Sequence, residues 1–502
     1  MYVSLAAIVV ILLTAFILKV NKKRYYKLKR NLEFVISLPG ASILSSFINT
    51  LKVACNYKDL LDYVEETTKK YGSVTRLVLG TDIFVLLTKP EDYKLVLVNE
   101  NGNDKSSVTK LWDVFLGDGV IRASGTTHRV RRKILQPLLN LKNLSEYVTF
   151  FDSYSNYCAD TLEKHVDGPI FDLKPYIARY SFNIFLVTTV GIQGAAHKGE
   201  DDELLYWQEK LLKESFKRVI KPWLQTEWIF SLTEGGKQMS AARKIVEDFI
   251  YSISSRETPK QTALQYNAEM FEKSKPIFNN YSNRLVQLYD DVTSKSCEVS
   301  DENFLDDIRN FLVAIQNTTT EVASFIMLML GMHTEVQEKL REEILVTFNN
   351  DKVDAQRLLS MRYFQMVFQE TLRLFPIAPA LSRELTGDIK LESCTLPEGC
   401  YIMIPIFAIH RNPAYWHKPL EFIPERFSAE NSSSRPRYTY IPFGTGLRDC
   451  LGQRYALLSV AAIVVNLVRR FRFTTVSNIA DVKLATDIIL RTQDARLSIS
   501  RI

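Results

Sequence analysis

The sequence has few cysteines, and they follow no paired pattern. They lie far apart along the chain, at Cys55, Cys158, Cys297, Cys394, Cys400 and Cys450. A disulfide framework places cysteines at short regular spacings, so this distribution excludes one and suits a reducing compartment. The CxxC and HxxxH spacings that supply zinc ligands are also absent around Cys450. A zinc site at that cysteine is therefore not expected.

Strong net charge and low-complexity segments are missing as well. The 502 residues carry a formal net charge of +6, with 24% charged and 46% hydrophobic residues. This is the composition of a globular protein that is long enough to bury a large core. The sequence has no cluster of basic and aromatic residues of the kind that binds RNA or DNA, so no nucleic-acid partner is expected. Basic residues spread over the surface would instead suit an acidic protein partner.

The N-terminal segment is almost wholly apolar from Tyr2 to Leu18. At about 1.5 Å per residue, a helix of this length just crosses a bilayer core. The basic run Asn21–Arg24 follows closely, and the positive-inside rule keeps such a cluster cytosolic. A cleaved signal peptide is the alternative, but its charges would precede the apolar run and a small-residue cleavage site would follow it. We therefore predict a single-pass transmembrane anchor at residues 1–20, a basic linker with a Pro39–Gly40 hinge at 21–40, and a cytosolic catalytic domain at 41–502.

Local patterns predict mostly helices, with a few short strands. Hydrophobic periodicity indicates helices at Tyr63–Tyr71, Phe171–Arg256, Asp301–Met329, Tyr363–Phe375 and Gln453–Arg469. Strands are predicted as a hairpin, Val74–Leu79 and Ile83–Thr88, and again between Phe471 and Ile502. The polar segment Ser255–Lys295 is predicted to be an exposed connection.

A glycine-rich stretch surrounds Cys450 and leads into the predicted helix that begins at Gln453. Glycines let backbone amides approach the sulfur, and hydrogen bonds together with the positive end of a helix stabilise a thiolate. Such a thiolate is suited to be a nucleophile, a zinc ligand or a haem ligand. Neither zinc partners nor the histidine context of a nucleophilic cysteine accompanies it. A buried structural cysteine is the remaining alternative.

The same stretch resembles the haem-binding loop of the cytochromes P450. It contains the pattern FxxGxRxCxG, with fixed positions at Phe443, Gly446, Arg448, Cys450 and Gly452. The resemblance runs from Leu38 to the C-terminus and points to the microsomal, family-four branch. It implies the cytochrome P450 fold, which is mainly α with small β-sheets (α+β). It also implies haem b as the cofactor, with Cys450 as the axial ligand of its iron and the other four residues around it.

A polar run lies in the middle of the long apolar helix, where it is unfavourable for propensity and burial, and therefore indicates functional use or hydrogen bonding to the local backbone. In the family, a glycine, an acid and a threonine lie here beside the haem, and the acid–alcohol pair delivers protons. This chain keeps Thr318 but has Asn317 for the acid and Ile315 for the glycine. By this resemblance Thr318 and Asn317 are the candidate catalytic residues, although Asn317 can hold a water and cannot ionise.

The haem is expected to be non-covalently held. Many family-four members carry a glutamate that bonds to the haem at the position of Ala314, and an alanine cannot form that bond.

A buried ion-pair network is predicted around Glu370 and Arg373, which share one helix face. An ExxR pair alone is a weak signal, because surface pairs of this kind are common. Apolar neighbours such as Phe368 predict burial, and a buried pair needs further partners. By resemblance, Arg426 of the sequence PERF completes a Glu–Arg–Arg triad.

The resemblance also assigns residues to the haem propionates and to the substrate. His128 and Arg132 are one helical turn apart and would bind a propionate together with Arg383. His128 stands where the family has a tryptophan, and its imidazole keeps an N–H donor. The substrate pocket would be lined by Ala314, Ile315, Ile377, Ala378 and Leu381.

The implied activity is monooxygenation of an apolar substrate by dioxygen, at the endoplasmic reticulum membrane. Electrons would come from NADPH through NADPH–cytochrome P450 reductase, with cytochrome b5 as an additional donor. The implied substrates are fatty acids, hormone-like lipids or xenobiotics. One alternative is a reductase-independent isomerase or dehydratase of lipid peroxides, which would need no acid–alcohol pair. The other is a catalytically weak haem- or lipid-binding protein.

Overall fold

The computed structural model describes residues 22–55, 59–80, 82–112, 116–191, 200–254, 285, 301–349 and 351–502. The predicted anchor at residues 1–20 and almost all of the predicted connection Ser255–Lys295 lie outside these ranges.

Helices form most of the structure. They are α1 (Lys22–Ser37), α2 (Ile43–Cys55), α3 (Asp59–Tyr71), α4 (Pro90–Val98), α5 (Gly125–Leu135), α6 (Leu141–Leu162), α7 (Lys174–Phe185), α8 (Glu200–Ile220), α9 (Glu227–Ser231), α10 (Glu234–Ser254), α11 (Asp301–Phe311), α12 (Thr318–Met332), α13 (Thr334–Phe348), α14 (Ala355–Ser360), α15 (Arg362–Leu374), α16 (Ile406–Ile409), α17 (Ala429–Ser433) and α18 (Gln453–Val468). A π-helical segment, Leu312–Asn317, joins α11 to α12, and we call the three together the central helix.

Small sheets lie beside the helices. Their strands are β1 (Val74–Leu79), β2 (Asp82–Leu87), β3 (Phe171–Asp172), β4 (Leu381–Glu384), β5 (Ile389–Lys390), β6 (Thr395–Leu396), β7 (Tyr401–Ile404), β8 (Phe471–Thr474), β9 (Leu484–Thr486), β10 (Leu490–Thr492) and β11 (Arg496–Arg501). The four-stranded sheet has the order β1-β2-β7-β4, with β2 and β7 parallel and the other pairs antiparallel. A three-stranded sheet, β3-β11-β8, and the pairs β9–β10 and β5–β6 complete the set.

The first hairpin forms where the sequence predicts it. Residues of β1 alternate between half-buried and buried, as the alternation of its side chains requires. The hairpin closes at the pair Leu79 and Asp82, so the turn is tight. On the far side of the same sheet, Arg383 of β4 pairs with Ile402 of β7, which carries the arginine into the interior.

The central helix runs through the core. Among the described residues, Glu302–Met332 is the one helix that is long and apolar enough to span a membrane, yet its most apolar window is 83% buried inside the fold. A helix that is apolar on all sides needs partners all around it. In this fold α12 packs against α7, α15, α18 and β8.

The segment predicted as a basic linker is mostly helical. Its apolar residues Phe34, Val35 and Leu38 pack into a hydrophobic cluster with the β-sheet region, and Val35 is buried. This i, i+1, i+4 spacing is typical of an amphipathic helix. The surrounding lysines and arginines led to the prediction of a linker instead. The predicted hinge is fixed against β1, because the Pro39 carbonyl accepts hydrogen bonds from the Arg76 amide (2.8 Å) and the Thr75 hydroxyl (2.7 Å).

The region from Phe171 to Arg256, predicted as one helical stretch, is interrupted. It begins with strand β3, and α7 ends in a second π-helical segment, Leu186–Val190. Gly191 follows at φ +75°, a left-handed conformation that glycine adopts without a steric cost.

Candidate active site

A cavity of about 370 Å³ lies beside the central helix. It brings together twelve of the residues singled out from the sequence: His128, Arg132, Ala314, Ile315, Thr318, Ile377, Ala378, Leu381, Phe443, Arg448, Cys450 and Gly452. These residues come from four separate parts of the chain, so their convergence supports the predicted site. Asn317, Arg383 and Gly446 do not line the cavity.

The loop that carries Cys450 is closed by its own backbone. The Cys450 amide donates to the Phe443 carbonyl at 2.8 Å, and α18 begins immediately after Gly452. Burial raises the pKa of the Cys450 thiol, whereas the hydrogen bond from the Gly452 amide lowers it. The amide at the start of α18 therefore stabilises the thiolate, as the sequence predicts. Burial has the larger effect and favours the neutral thiol, and a bound cation at the sulfur would offset it.

Gly446 and Arg448 connect this loop to neighbouring parts of the chain. Gly446 has φ +78°, and a Cβ there would lie 2.1 Å from the Leu97 carbonyl oxygen, so the loop packs directly on the end of α4. The structure thus gives Gly446 a packing role in the loop, and its predicted place around the cofactor stays a prediction. Arg448 Nε donates to the Asn103 carbonyl at 2.9 Å, and its guanidinium also donates to the Ala123 carbonyl. Arg448 thus joins the cysteine loop to the chain that precedes α5.

Positively charged side chains gather at one edge of the cavity, where Lys105, Arg132 and Arg448 line it and Arg383 lies close to Arg448 without lining it. Burial and, to a smaller extent, the charge of Arg448 lower the pKa of Arg383 to about 10. Burial also lowers the pKa of Arg448 to about 10, with Arg132 adding to the effect and Asp104 opposing it. The pKa of Lys105 lies well below its ordinary value because the lysine is buried beside Arg383 and Arg448.

The imidazole of His128 belongs to the same edge. Burial, with the charges of Arg448 and Arg132 next in importance, lowers its pKa to about 3, so the ring is neutral and keeps one N–H donor. Arg132, one turn further along α5, donates to the Asp449 carbonyl at 2.8 Å and pairs with its carboxylate. This pair ties α5 to the cysteine loop.

Several of these buried donors lack acceptors. Within the part of the chain that the structure describes, His128 Nδ1, Arg383 Nε and Arg448 Nη1 are buried without a hydrogen-bond partner. Buried polar atoms are nearly always paired, so this edge is built for a negatively charged group. Haem carries two propionates, and a thiol lines the same cavity. The residues present therefore fit a haem.

The predicted triad forms as a buried network. Arg373 donates to Glu370 through Nε (2.7 Å) and Nη2 (2.8 Å), and Arg426 Nε donates to the same carboxylate at 3.1 Å. Glu370 and Arg373 are fully buried. Arg373 also donates to the carbonyls of His410 (3.0 Å) and Pro419 (2.7 Å). The triad therefore holds the segment that leads into the cysteine loop.

His410 connects the triad to that loop. Its Nε2 accepts a hydrogen bond from the Ile441 amide at 3.0 Å, and burial lowers its pKa to about 3. Among the described residues, no group of three or more side chains that could bind a metal ion occurs around His410 or elsewhere.

The side chains of the two candidate catalytic residues of the central helix lie in different surroundings. Thr318 lines the cavity and its hydroxyl donates to the Ala314 carbonyl one turn earlier. Asn317 is buried outside the cavity, and its amide oxygen accepts from Arg491 Nη2 at 3.1 Å. Arg491 thus occupies the amide oxygen with which Asn317 could accept a hydrogen bond from a water. Both residues lie at the end of the π-helical segment, a feature that is frequent at functional sites.

Some cavity residues were not found from the sequence. Lys105 lies in a polar stretch without periodicity, and nothing in its surroundings marks it as buried. Thr319 repeats the type of its neighbour Thr318. Ile489 lies at the tip of the β9–β10 hairpin, in the C-terminal region for which the sequence predicts strands and no site residue. The remaining additions include Val120 and Ile121, which follow two glycines. Only the glycines could have drawn attention to that loop.

Comparisons with known proteins agree with this site. The sequence model of the family "Cytochrome P450" matches residues 38–498. Cytochrome P450 4d2 of Drosophila melanogaster is 30% identical over 446 residues, covering 86% of this chain and 88% of the relative. Cytochrome P450 4c3 of the same species is 27% identical over 490 residues (95% and 91%), and Cytochrome P450 4V2 of Homo sapiens is 26% identical over 437 residues (87% and 83%). These names confirm the resemblance to family four.

Proposed function

Because the chain belongs to the cytochrome P450 family and is an oxidoreductase of the monooxygenase type, we propose that it inserts one atom of dioxygen into an apolar lipid-like substrate. The observation that carries this proposal is the cavity itself. It joins the thiol of Cys450, a cationic edge and the hydroxyl of Thr318 to a mainly apolar lining that includes Ile315 and Ile377. Such a lining binds hydrocarbon and excludes bulk water.

Haem b is the cofactor in this proposal. Cys450 would bind its iron, and the propionates would take up the donors of His128, Arg132, Arg383, Arg448 and Lys105. When bound through a thiolate, haem supplies dioxygen activation. Ala314 offers only a methyl group to the cavity, which supports a haem held without a covalent bond.

The chain's own contribution to proton handling rests on Thr318. Its hydroxyl lines the cavity and is fixed by the bond to the Ala314 carbonyl, which leaves the oxygen's lone pairs available to a cavity water. A proton held at Thr318 Oγ1 would have to be replenished through water. Asn317 takes no part in this step, because its amide oxygen is engaged by Arg491.

The electron donor would be NADPH–cytochrome P450 reductase, with cytochrome b5 as an additional partner. Support comes from exposed basic residues on the elements that hold the haem site: Arg129 and Lys133 on α5, and Arg454 at the start of α18. An acidic flavoprotein surface would match them. The predicted anchor at residues 1–20 would place the protein in the endoplasmic reticulum membrane with this face in the cytosol.

A reductase-independent isomerase or dehydratase of lipid peroxides is the second candidate. One specific observation favours it: Asp449 is the one acid in the cavity lining among the described residues and is paired with Arg132, while Asn317 replaces the family's acid beside Thr318 and lies outside the cavity. A substrate that already carries its oxygen as a peroxide needs no such acid.

Reconstitution with reductase decides between the two. We would supply fatty acids and isoprenoids with NADPH under isotopically labelled dioxygen, and in parallel supply lipid hydroperoxides without NADPH. Product that carries labelled oxygen and tracks NADPH supports the monooxygenase. Product from hydroperoxides alone supports the isomerase or dehydratase, and binding without product in either arm supports a haem- or lipid-binding protein.

A further inference from the structure

The loop Leu116–Ala123 lies on one face of α11. Three of its backbone amides are each bound by a different side chain of that helix. The bonds are Asp118 N to Asp306 Oδ2 (2.9 Å), Val120 N to Asp307 Oδ1 (2.9 Å) and Ile121 N to Asn310 Oδ1 (2.8 Å). Irregular loops usually satisfy their amides with water or within the loop, so this arrangement fixes the loop to the helix.

Two glycines bring the loop down onto these side chains. Gly117 has φ +56°, and a Cβ there would lie 1.9 Å from Asp306 Oδ1. A Cβ at Gly119 would lie 2.1 Å from Asn310 Nδ2. No other residue type permits this approach without displacement of the loop or the helix side chains.

The two acids are buried and paired, which strengthens their hold on the loop. Asp307 is fully buried and lies 3.3 Å from Nη1 of Arg131 on α5. Asp306 is paired with Arg309 at 2.6 Å. Hydrogen bonds from amides to ionised carboxylates are stronger than those between neutral groups. The loop, α5 and the central helix therefore form one connected unit.

The loop carries two apolar side chains, Val120 and Ile121, into the wall of the cavity. We propose that Asp306 and Asp307 are positioning residues for ligand selection: by holding the loop they fix Val120 and Ile121 as a rigid wall that limits the width of the ligands the cavity accepts. This inference rests on the cavity being the ligand site of the proposed function. Neither acid lines the cavity, so each acts through the loop.

The test compares Asp306→Ala with Asp306→Asn. Asparagine keeps an acceptor oxygen for the Asp118 amide, whereas alanine removes it, and Arg309 retains Glu247 as a second partner at 3.8 Å in both variants. Glu302→Ala, at an exposed site on the same helix, is the control. Gly119→Ala is the second loop variant, because its methyl group forces the loop off Asn310 without removing a charge.

The probes are N-methyl-, N-hexyl- and N-biphenylimidazole, whose ring nitrogen binds haem iron and shifts its absorbance. This readout needs neither reductase nor turnover, so failure of the monooxygenase proposal would leave it intact. We expect Asp306→Ala and Gly119→Ala to tighten the biphenyl compound roughly tenfold relative to the methyl compound, the scale of discrimination that pocket shape provides. Asp306→Asn and Glu302→Ala should keep the wild-type ratio. Hydrogen exchange should quicken in residues 116–123 of the first two variants only.

Two results would overturn the proposal. One is faster exchange in the loop with an unchanged imidazole ratio, which would mean that the loop does not limit ligand width. The other is failure of Asp306→Ala and Gly119→Ala to retain haem while Asp306→Asn retains it. The contact would then be a folding requirement and not a means of ligand selection.

Discussion

Arg491 donates a hydrogen bond across 3.1 Å to the amide oxygen of Asn317, and so ties the β9–β10 hairpin to the end of the π-helical segment. The same guanidinium bonds Asp487 at 2.8 Å and lies 3.5 Å from Glu321. Lys174 pairs with Glu321 at 2.7 Å, so this buried cluster holds two cations and two carboxylates. Asn317 is its neutral member and serves as an acceptor for Arg491. In a buried cluster of this kind each charge needs an opposite partner, because removal of one partner leaves an uncompensated buried charge.

Asn317→Asp is therefore expected to leave oxygen chemistry unimproved. The new carboxylate would take up the bond to Arg491 and stay outside the cavity, while adding a third negative charge to the cluster. The measurement is the amount of product formed per NADPH consumed, with reductase present and a lipid that the wild type converts. We expect this ratio to remain within about twofold of wild type. Asn317→Ala loses a bond to a charged donor and should cost about 1.5–3 kcal/mol in unfolding free energy. A several-fold rise in coupling for the aspartate variant would contradict this reading of the site.

Arg373→Ala should prevent haem incorporation. The substitution leaves the fully buried carboxylate of Glu370 with Arg426 as its remaining cation and removes the bonds to the His410 and Pro419 carbonyls. Breaking a buried pair in this way costs about 3–5 kcal/mol. The measurement is haem absorbance per purified protein. Lys339→Ala, which breaks a solvent-exposed pair with Glu425, is the matched control and should load normally. Soluble, fully loaded Arg373→Ala protein would refute the role of the triad.

The haem should be fully extractable by acidified acetone. Covalent attachment through the central helix would need a carboxylate at position 314, and Ala314 presents a methyl group to the cavity. The measurement is the haem absorbance that stays with the precipitated protein, with a protein that binds haem through thioether bonds as the positive control. Haem that stays linked to the protein after extraction would contradict this prediction.

The sequence predicted correctly the contacts of those site residues whose interaction partners lie close in the chain or belong to the same motif. Cys450 lies two residues from the Gly452 amide that bonds it, and Glu370 is one helical turn from Arg373. The place of the Asn317 side chain outside the cavity could not be predicted, because its partner Arg491 lies 174 positions away on a hairpin. Lys105 was missed for the same reason, since the charges of Arg383 and Arg448 that lower its pKa belong to residues distant in sequence. Local periodicity carries no information about such contacts.

The free energy of unfolding should decrease at acidic pH because of His410. Its folded pKa of about 3 lies below the ordinary histidine value, so the unfolded chain binds more protons than the folded one between these two values. Unfolding free energy therefore decreases as pH falls below about 6.5, by up to about 1.4 kcal/mol per pH unit from this group. In His410→Gln, whose amide oxygen can still accept from the Ile441 amide, this slope should be correspondingly smaller in denaturant titrations. His417→Gln, at an exposed site, is the control. Equal slopes for His410→Gln and wild type would contradict the assignment.

Lys105→Met should affect the apoprotein and the holoprotein in opposite directions. Without an anion, the buried ammonium repels Arg383 and Arg448, and its lowered pKa reports that cost. Removal of the charge should therefore raise the free energy of unfolding of the apoprotein. With haem bound, the same change removes a partner of a propionate, so haem transfer to excess apomyoglobin should become faster. Lys133→Met, on the exposed side of α5, should change neither quantity. If Lys105→Met destabilised the apoprotein and left haem transfer unchanged, the lysine would be a structural residue of the loop and not part of the anion site.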